Sequence, residues 1–251
     1  IDGKHLISKI NNRSFQFGKL DVSSLEDLRK LDLRVDTSNQ IKVTELVADI
    51  QKVHCDPNNA NALFQAASQF NLLEMVGPEV SPKAGVSIYE NDFTQGPACA
   101  IACGAGTIYR NYFVPIENQI GQTGIYQIDC LDEIGKELHN QKLQLWKMKN
   151  GYAVLSQEGL LSINKQLGCF TDAQREKLKG KLKVGIQWNT EVTLTDEKQI
   201  VSQIYCAALP VAYSHIESYY WENFARIILE ATYEATLYTA LLNLKNNKSN
   251  K

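Results

Sequence analysis

Three short segments hold most of the residue types that could handle a polar ligand. The first is Asp49-Ile50, which follows Ile41-Lys42-Val43-Thr44-Glu45-Leu46-Val47, a β-branched alternation that predicts a strand. An acid at the carboxyl end of a strand in an α/β sheet lies in the crevice where ligands bind. Asp49 could there accept hydrogen bonds from an amine or a nucleobase amino group, or it could cap the turn that follows. The second is Phe64-Gln65-Ala66-Ala67-Ser68-Gln69-Phe70-Asn71, an apolar strand emptying into a polar cluster. Its paired alanines leave room for a ligand, and Gln65, Ser68 and Asn71 could position hydroxyls; a packed strand with a hydrophilic turn is the plainer alternative. The third is Glu90-Asn91-Asp92-Phe93-Thr94-Gln95-Gly96-Pro97, a loop entering a small-residue helix. Backbone N–H groups at a helix start can hold a pyrophosphate, although Pro97 removes one donor. Neither G-x-x-x-x-G-K-[ST] nor G-x-G-x-x-G occurs in the chain.

In this order the three segments resemble those of a macrodomain, the fold that binds ADP-ribose. The matching stretches are Ala48-Asp49-Ile50, Phe64 to Ser68, and Gln95-Gly96-Pro97 through Ala100-Ile101-Ala102-Cys103-Gly104-Ala105-Gly106. The fuller wording of Leu63 to Met75 and Thr94 to Phe113 is similar to a divergent branch that includes Legionella effectors acting on ADP-ribosylated ubiquitin. The resemblance implies that Asp49 would bond the adenine amino group and Ile50 would lie against the base. Gln65 and Ser68 would border the ligand, and Gln95, Gly96, Pro97 and Ala98 would face its pyrophosphate and distal ribose. The second Asn of the family strand motif is Ser68 here, and the acid that hydrolytic members place in the Gly-rich loop falls on Ala98. Cleavage of the glycosidic bond would therefore need another group to orient or deprotonate the water: Asp92 first, then Glu74 and Asn91. For Asp92, stabilising its own loop is an equal alternative.

A rival reading is a cysteine hydrolase. Cys99 follows Gly96-Pro97-Ala98 near a helix start, where a thiolate is stabilised, with His5, His54, His139 or His215 as base; nothing in the sequence selects among them. The six cysteines form no C-x-x-C pair, which argues for reduced thiols in an intracellular setting and against a structural zinc. No metal and no cofactor is expected.

These residues must be carried by elements whose signals lie in the same sequence. Alternation predicts one strand over Arg13 to Leu20, then a short helix from Leu25 to Leu31 capped by Ser23 or Ser24. Ala62 to Ser68 reads as a buried strand, Gly77 to Gly85 as a loop, and Ala98 to Ala105 as a helix stopped by Gly106. Tyr109 to Ile116 is strand-like, and Asp129 to Lys183 is polar and helix-prone. Val184 to Leu194 and Ile200 to Ala208 read as strands, Trp221 to Leu244 as a long helix, and Lys245 to Lys251 as a disordered tail. Strands interleaved with helices predict an α/β layered fold. The family resemblance makes it a macrodomain-like three-layer fold with a mixed central sheet over 41–251, with an N-terminal extension over 1–40 and a helical insertion near 129–183 for target recognition. It also implies a further strand and a second phosphate loop after the long helix, which would fall beyond Lys251.

The 251 residues suffice for one large domain, and 44% hydrophobic with 22% charged residues excludes disorder. A net charge of −2 offers no bulk attraction to nucleic acid or an anionic membrane. The uncharged run Gly96 to Tyr109 is too short and too rich in Gly to span a bilayer. The expected partners are ADP-ribose or an ADP-ribosylated protein such as ubiquitin. The expected location is an intracellular compartment: cytoplasmic, or a host cytosol for an effector. A non-catalytic ADP-ribose reader is the second expectation.

Overall fold

The computed structural model describes residues 1–31, 33 and 41–249. Its centre is a four-stranded mixed sheet in the order β3 (Lys19–Ser24), β9 (Lys183–Glu191), β10 (Ile200–Ala207), β4 (Leu63–Ser68). β4 and β10 run parallel, with Ala207 opposite Ser68, whereas β9 is antiparallel to both β10 and β3. Three small hairpins decorate it: β1 (His5–Ile7) with β2 (Ser14–Gln16), β5 (Pro115–Ile116) with β6 (Gln119–Ile120), and β7 (Trp146–Lys149) with β8 (Tyr152–Leu155).

Helices cover both faces of the sheet, and the alternation of β10 shows which helix lies where. Gln203 and Tyr205 point toward α2 (Ile50–Cys55), α3 (Gln95–Ala102) and α4 (Gly104–Tyr112), bonding Cys99 and stacking on Arg110. Ser202 and Cys206 point the other way, toward Asn243 and Thr236 of α9 (Glu222–Ser249). α1 (Leu25–Arg29), α7 (Gln157–Cys169) and α8 (Asp172–Gly180) pack on α9, and α5 (Asp132–Glu137) and α6 (Asn140–Leu143) precede the β7–β8 hairpin in sequence. The chain is thus an α/β fold of three layers. No helix among the described residues is long and apolar enough to cross a membrane.

Local signals set several of these elements. Ser24 caps α1 by accepting from the Asp27 N–H, and a capping box of Thr171 and Gln174 opens α8. Elsewhere tertiary packing overrides the local pattern. Residues 41–47 form no strand: no partner among the described residues pairs with them, and Ile41, Val43, Leu46 and Val47 are exposed. Asp49 therefore ends no strand; it accepts from the Gln51 N–H and caps α2. The strand expected over 13–20 is two strands, because Gly18 turns the chain at φ +76° against the backbone of Trp188. Gly106 does not stop a helix, since the break falls at Cys103 and α4 continues to Tyr112, through the first half of the strand expected from Tyr109. There Ala105, Gly106, Arg110 and Asn111 are buried at helical spacing, which outweighs the β-propensity of the tyrosines. The tail expected from Lys245 is helical through Ser249; Asn250 and Lys251 lie outside the described residues.

Two boundaries also look different in three dimensions. β3 pairs along its length with β9, so the segment read as an N-terminal extension supplies an edge of the central sheet; part of its stretch before residue 40 lies outside the described residues. Residues 129–183 contain a hairpin as well as helices, and their Leu131, Ile134, Leu160, Ile163 and Leu178 share one core with Ile204, Phe224 and Ile228.

Candidate ligand site at the ends of two parallel strands

The carboxyl end of β4, which lies alongside that of β10, meets the start of α3. Gly96 makes this approach feasible: a Cβ there would lie 2.1 Å from the Ala67 carbonyl oxygen and 3.2 Å from Cγ of Glu74. The helix start rests directly on the strand end, and no residue larger than glycine fits. Beside it, Gln95 closes the unpaired edge of β4. Its Oε1 accepts from the Ala67 N–H at 2.7 Å, and its Nε2 donates to the Gln65 carbonyl at 2.8 Å, as a neighbouring strand would. Thr94 occupies the N-cap position without capping by its side chain. Its N–H and hydroxyl instead donate to Asp92 Oδ1 at 2.9 and 2.6 Å, which orders the loop. The first N–H groups of α3, on Gln95 and Gly96, precede any intrahelical acceptor, whereas Pro97 has none and Ala98 donates to the Thr94 carbonyl.

Beneath this junction lies a buried polar network. Glu74 is 1% exposed; it accepts from Ser68 Oγ at 3.2 Å and pairs with Arg110 Nη2 at 3.5 Å. Burial pushes the Glu74 carboxyl up to about 7, against the opposing pull of Arg110 and Ser68. Arg110 is itself fully buried, donates through Nε to the Leu72 carbonyl at 3.0 Å, and lies 3.6 Å over the ring of Tyr205. The Tyr205 hydroxyl donates to Gln203, whose Nε2 donates to the Cys99 carbonyl at 2.9 Å and approaches His54 Nε2 at 3.1 Å. With Nδ1 of His54 facing the Ile50 carbonyl at 2.8 Å, the bonds select the tautomer protonated at Nδ1, and burial lowers the imidazole pKa. A carboxyl titrating near neutrality can give or take a proton, and an ion-paired arginine below it fixes its place.

Several residues singled out in the sequence converge here: Ser68, Glu74, Gln95, Gly96, Pro97 and Ala98, with Asp92 at the rim and the exposed Asn91 just before it. Others do not. Gln65 is on the opposite face of β4, its Oε1 accepting from Thr236 of α9. Asp49 lines a shallow depression with Gln51, Lys52, Cys55, Asp56 and Leu194, none of them on α3, and Ile50 packs half-buried on the main core. The Cys99 thiol accepts from Gln95 and is pushed by burial up to about 12, so it is the reverse of an activated nucleophile. No Cys–His hydrogen bond and no cluster of potential metal ligands occurs among the described residues. Arg110, Tyr205 and Gln203 were missed. The available signal was that Arg110 is the one charged residue between Asp92 and Glu117, an isolated cation in an apolar stretch.

Comparison with protein-family models, with curated proteins and with solved structures finds no match. The functional reading therefore rests on the residues and their geometry.

Proposed function

We propose that this chain is a macrodomain-like domain that binds ADP-ribose and hydrolyses it from an ADP-ribosylated protein. The observation that carries the reading is the junction at Gly96: an α-helix start seated on the carboxyl end of β4, a strand parallel to β10, directly above a buried carboxyl that titrates near neutrality. The leading N–H groups of α3 would hold the diphosphate. Asp92, at the rim, would orient the water that attacks the anomeric carbon, and Glu74 would hold Ser68 and the strand end in place. Asp49 stands outside this arrangement.

A non-catalytic reader is the second reading. It is favoured by Ala98 at the family's acid position and by the two Thr94 bonds that already occupy Asp92. Calorimetric titration with ADP-ribose tests both readings, and absence of binding at millimolar ligand would sink both. Release of ADP-ribose from a modified protein then separates them. The hydrolase reading expects Asp92→Ala to retain binding while turnover falls about a hundredfold or more. A wild-type chain that binds without turnover is a reader.

A further inference from the structure

α9 is apolar on two sides. Phe224, Ile228, Ala231 and Ala235 are fully buried in the main core. Roughly opposite them, at ~100° per residue around the helix, run Leu229, Tyr233, Leu237 and Leu244, each between 43% and 61% exposed, with Ala240 half-buried among them. A helix on the outside of a layered fold needs only one apolar stripe. α8, beside it, obeys this and turns Asp172, Gln174, Glu176 and Lys177 to solvent. We propose that the outer stripe of α9 is the surface on which two copies of this chain pair, helix against antiparallel helix, about a two-fold axis near Leu237.

Spacing is the first support. A two-fold contact requires a pattern that reads alike in both directions. Reversed about the midpoint between Thr236 and Leu237, Leu229 falls on Leu244 and Tyr233 falls on Ala240. A leucine thus meets a leucine, and the largest side chain of the stripe meets the smallest. Leu237 lies beside the axis and meets its own copy. Parallel pairing would instead set Tyr233 on Tyr233 and bring Glu222 and Arg226 against like charges. Antiparallel helices also oppose their dipoles favourably.

Charge is the second support. Glu230 and Glu234 are the only charged residues between Leu229 and Leu244, and both are turned aside, Glu230 to Lys179 and Glu234 to Arg29. At the start of the stripe, Glu222 and Arg226 pair with each other at 3.2 Å. A strongly charged surface finds nothing to bond over this length, whereas an equally uncharged stripe, which a second copy supplies, matches it. Area sets the strength. The four exposed side chains offer on the order of 400 Å² on each copy, about half of what a stable complex buries per partner. With Arg226, Leu241 and Asn247 at the flanks, the contact falls in the weak, reversible class, with a Kd of about 10–100 μM.

Sedimentation equilibrium of the chain from about 5 to 500 μM is the test. The mass should rise from monomer toward dimer across that range. Leu237→Glu sets two carboxylates together at the axis and should weaken pairing about tenfold or more. Leu229→Glu and Leu244→Lys should each weaken it when alone. Mixed in equal amounts they should pair again, because the new carboxylate of one chain then faces the new ammonium of the other. That rescue separates a lost contact from a lost fold. A wild-type chain that stays monomeric at about 500 μM overturns the proposal and leaves the stripe to another protein or a membrane surface. A dimer that Leu237→Glu does not weaken also overturns it, as does a mixture that pairs no better than its parts.

Discussion

The two faces of the central sheet are built differently. Toward α9, the contacts are mostly hydrocarbon: Phe224, Ile227, Ile228, Ala231 and Ala235 belong to one core with Val184, Ile186 and Ile204, and only Thr236 and Asn243 farther along the helix bond Gln65 and Ser202 of the sheet. Toward α3 and α4, the same strands present Ser68, Gln203 and Tyr205 to Glu74, Arg110 and His54. Apolar burial stabilises at roughly 25 cal/mol per Å² and needs only shape. A buried charge pair recovers little beyond its own desolvation, and it depends on both partners being present. The α9 face therefore supplies stability, whereas the α3 face keeps polar groups in fixed positions under the helix start proposed to hold the ligand.

The largest expected effects compare one residue from each face. Arg110→Met leaves Glu74 buried without its cation and should cost ~3–5 kcal/mol. Phe224→Ala, a fully buried ring 5.7 Å from Trp146, should cost a similar ~3–5 kcal/mol through the cavity it leaves. Urea unfolding checks both, and the two faces separate in a second respect. Adding Glu74→Gln to Arg110→Met should regain part of the loss, because the orphaned charge is gone, whereas adding it to Phe224→Ala should regain nothing. Equal responses in the two backgrounds would erase the distinction between the faces.

A smaller effect is a pH dependence confined to the polar face. The Glu74 carboxyl is raised from an ordinary 4.5 to about 7 by burial, so between those values the unfolded chain releases a proton that the fold retains. Its contribution to stability is therefore greatest below about pH 4.5 and falls as pH rises through about 7, by up to ~3 kcal/mol. Glu74→Gln should lack this slope when unfolding free energies at pH 5 and pH 8 are compared. The smallest effect concerns Asp49: its replacement by alanine removes the α2 cap and should cost about 1 kcal/mol. A much larger loss in thermal unfolding would mean that the acid does more than cap.

The elements with a strong local period were legible from the residues alone: β4, β9, β10 and the α9 helix, with the cap of α1 narrowed to Ser23 or Ser24. So was the loop from Glu90 to Pro97 leading into a small-residue helix, although the seat of Gly96 on the Ala67 carbonyl was not. The misreadings share one cause. The alternation at 41–47 fits a strand but finds no strand to pair with, and Asp49 follows it out of the expected crevice. The tyrosines at 109 and 112 favour a strand, yet Arg110 and Asn111 are drawn inward on a helix.

By itself the sequence determined an α/β chain, where its main strands and last helix run, and which loop presents a helix start. Hydrophobic period, caps and glycines act within a few residues, so they can be read in one pass. Tertiary structure alone decided that Glu74 meets Arg110, that Gln203 meets His54, and that Gln95 seals β4. Those pairings join residues far apart in the chain, and each depends on how layers stack and how far water is excluded. No local pattern encodes that.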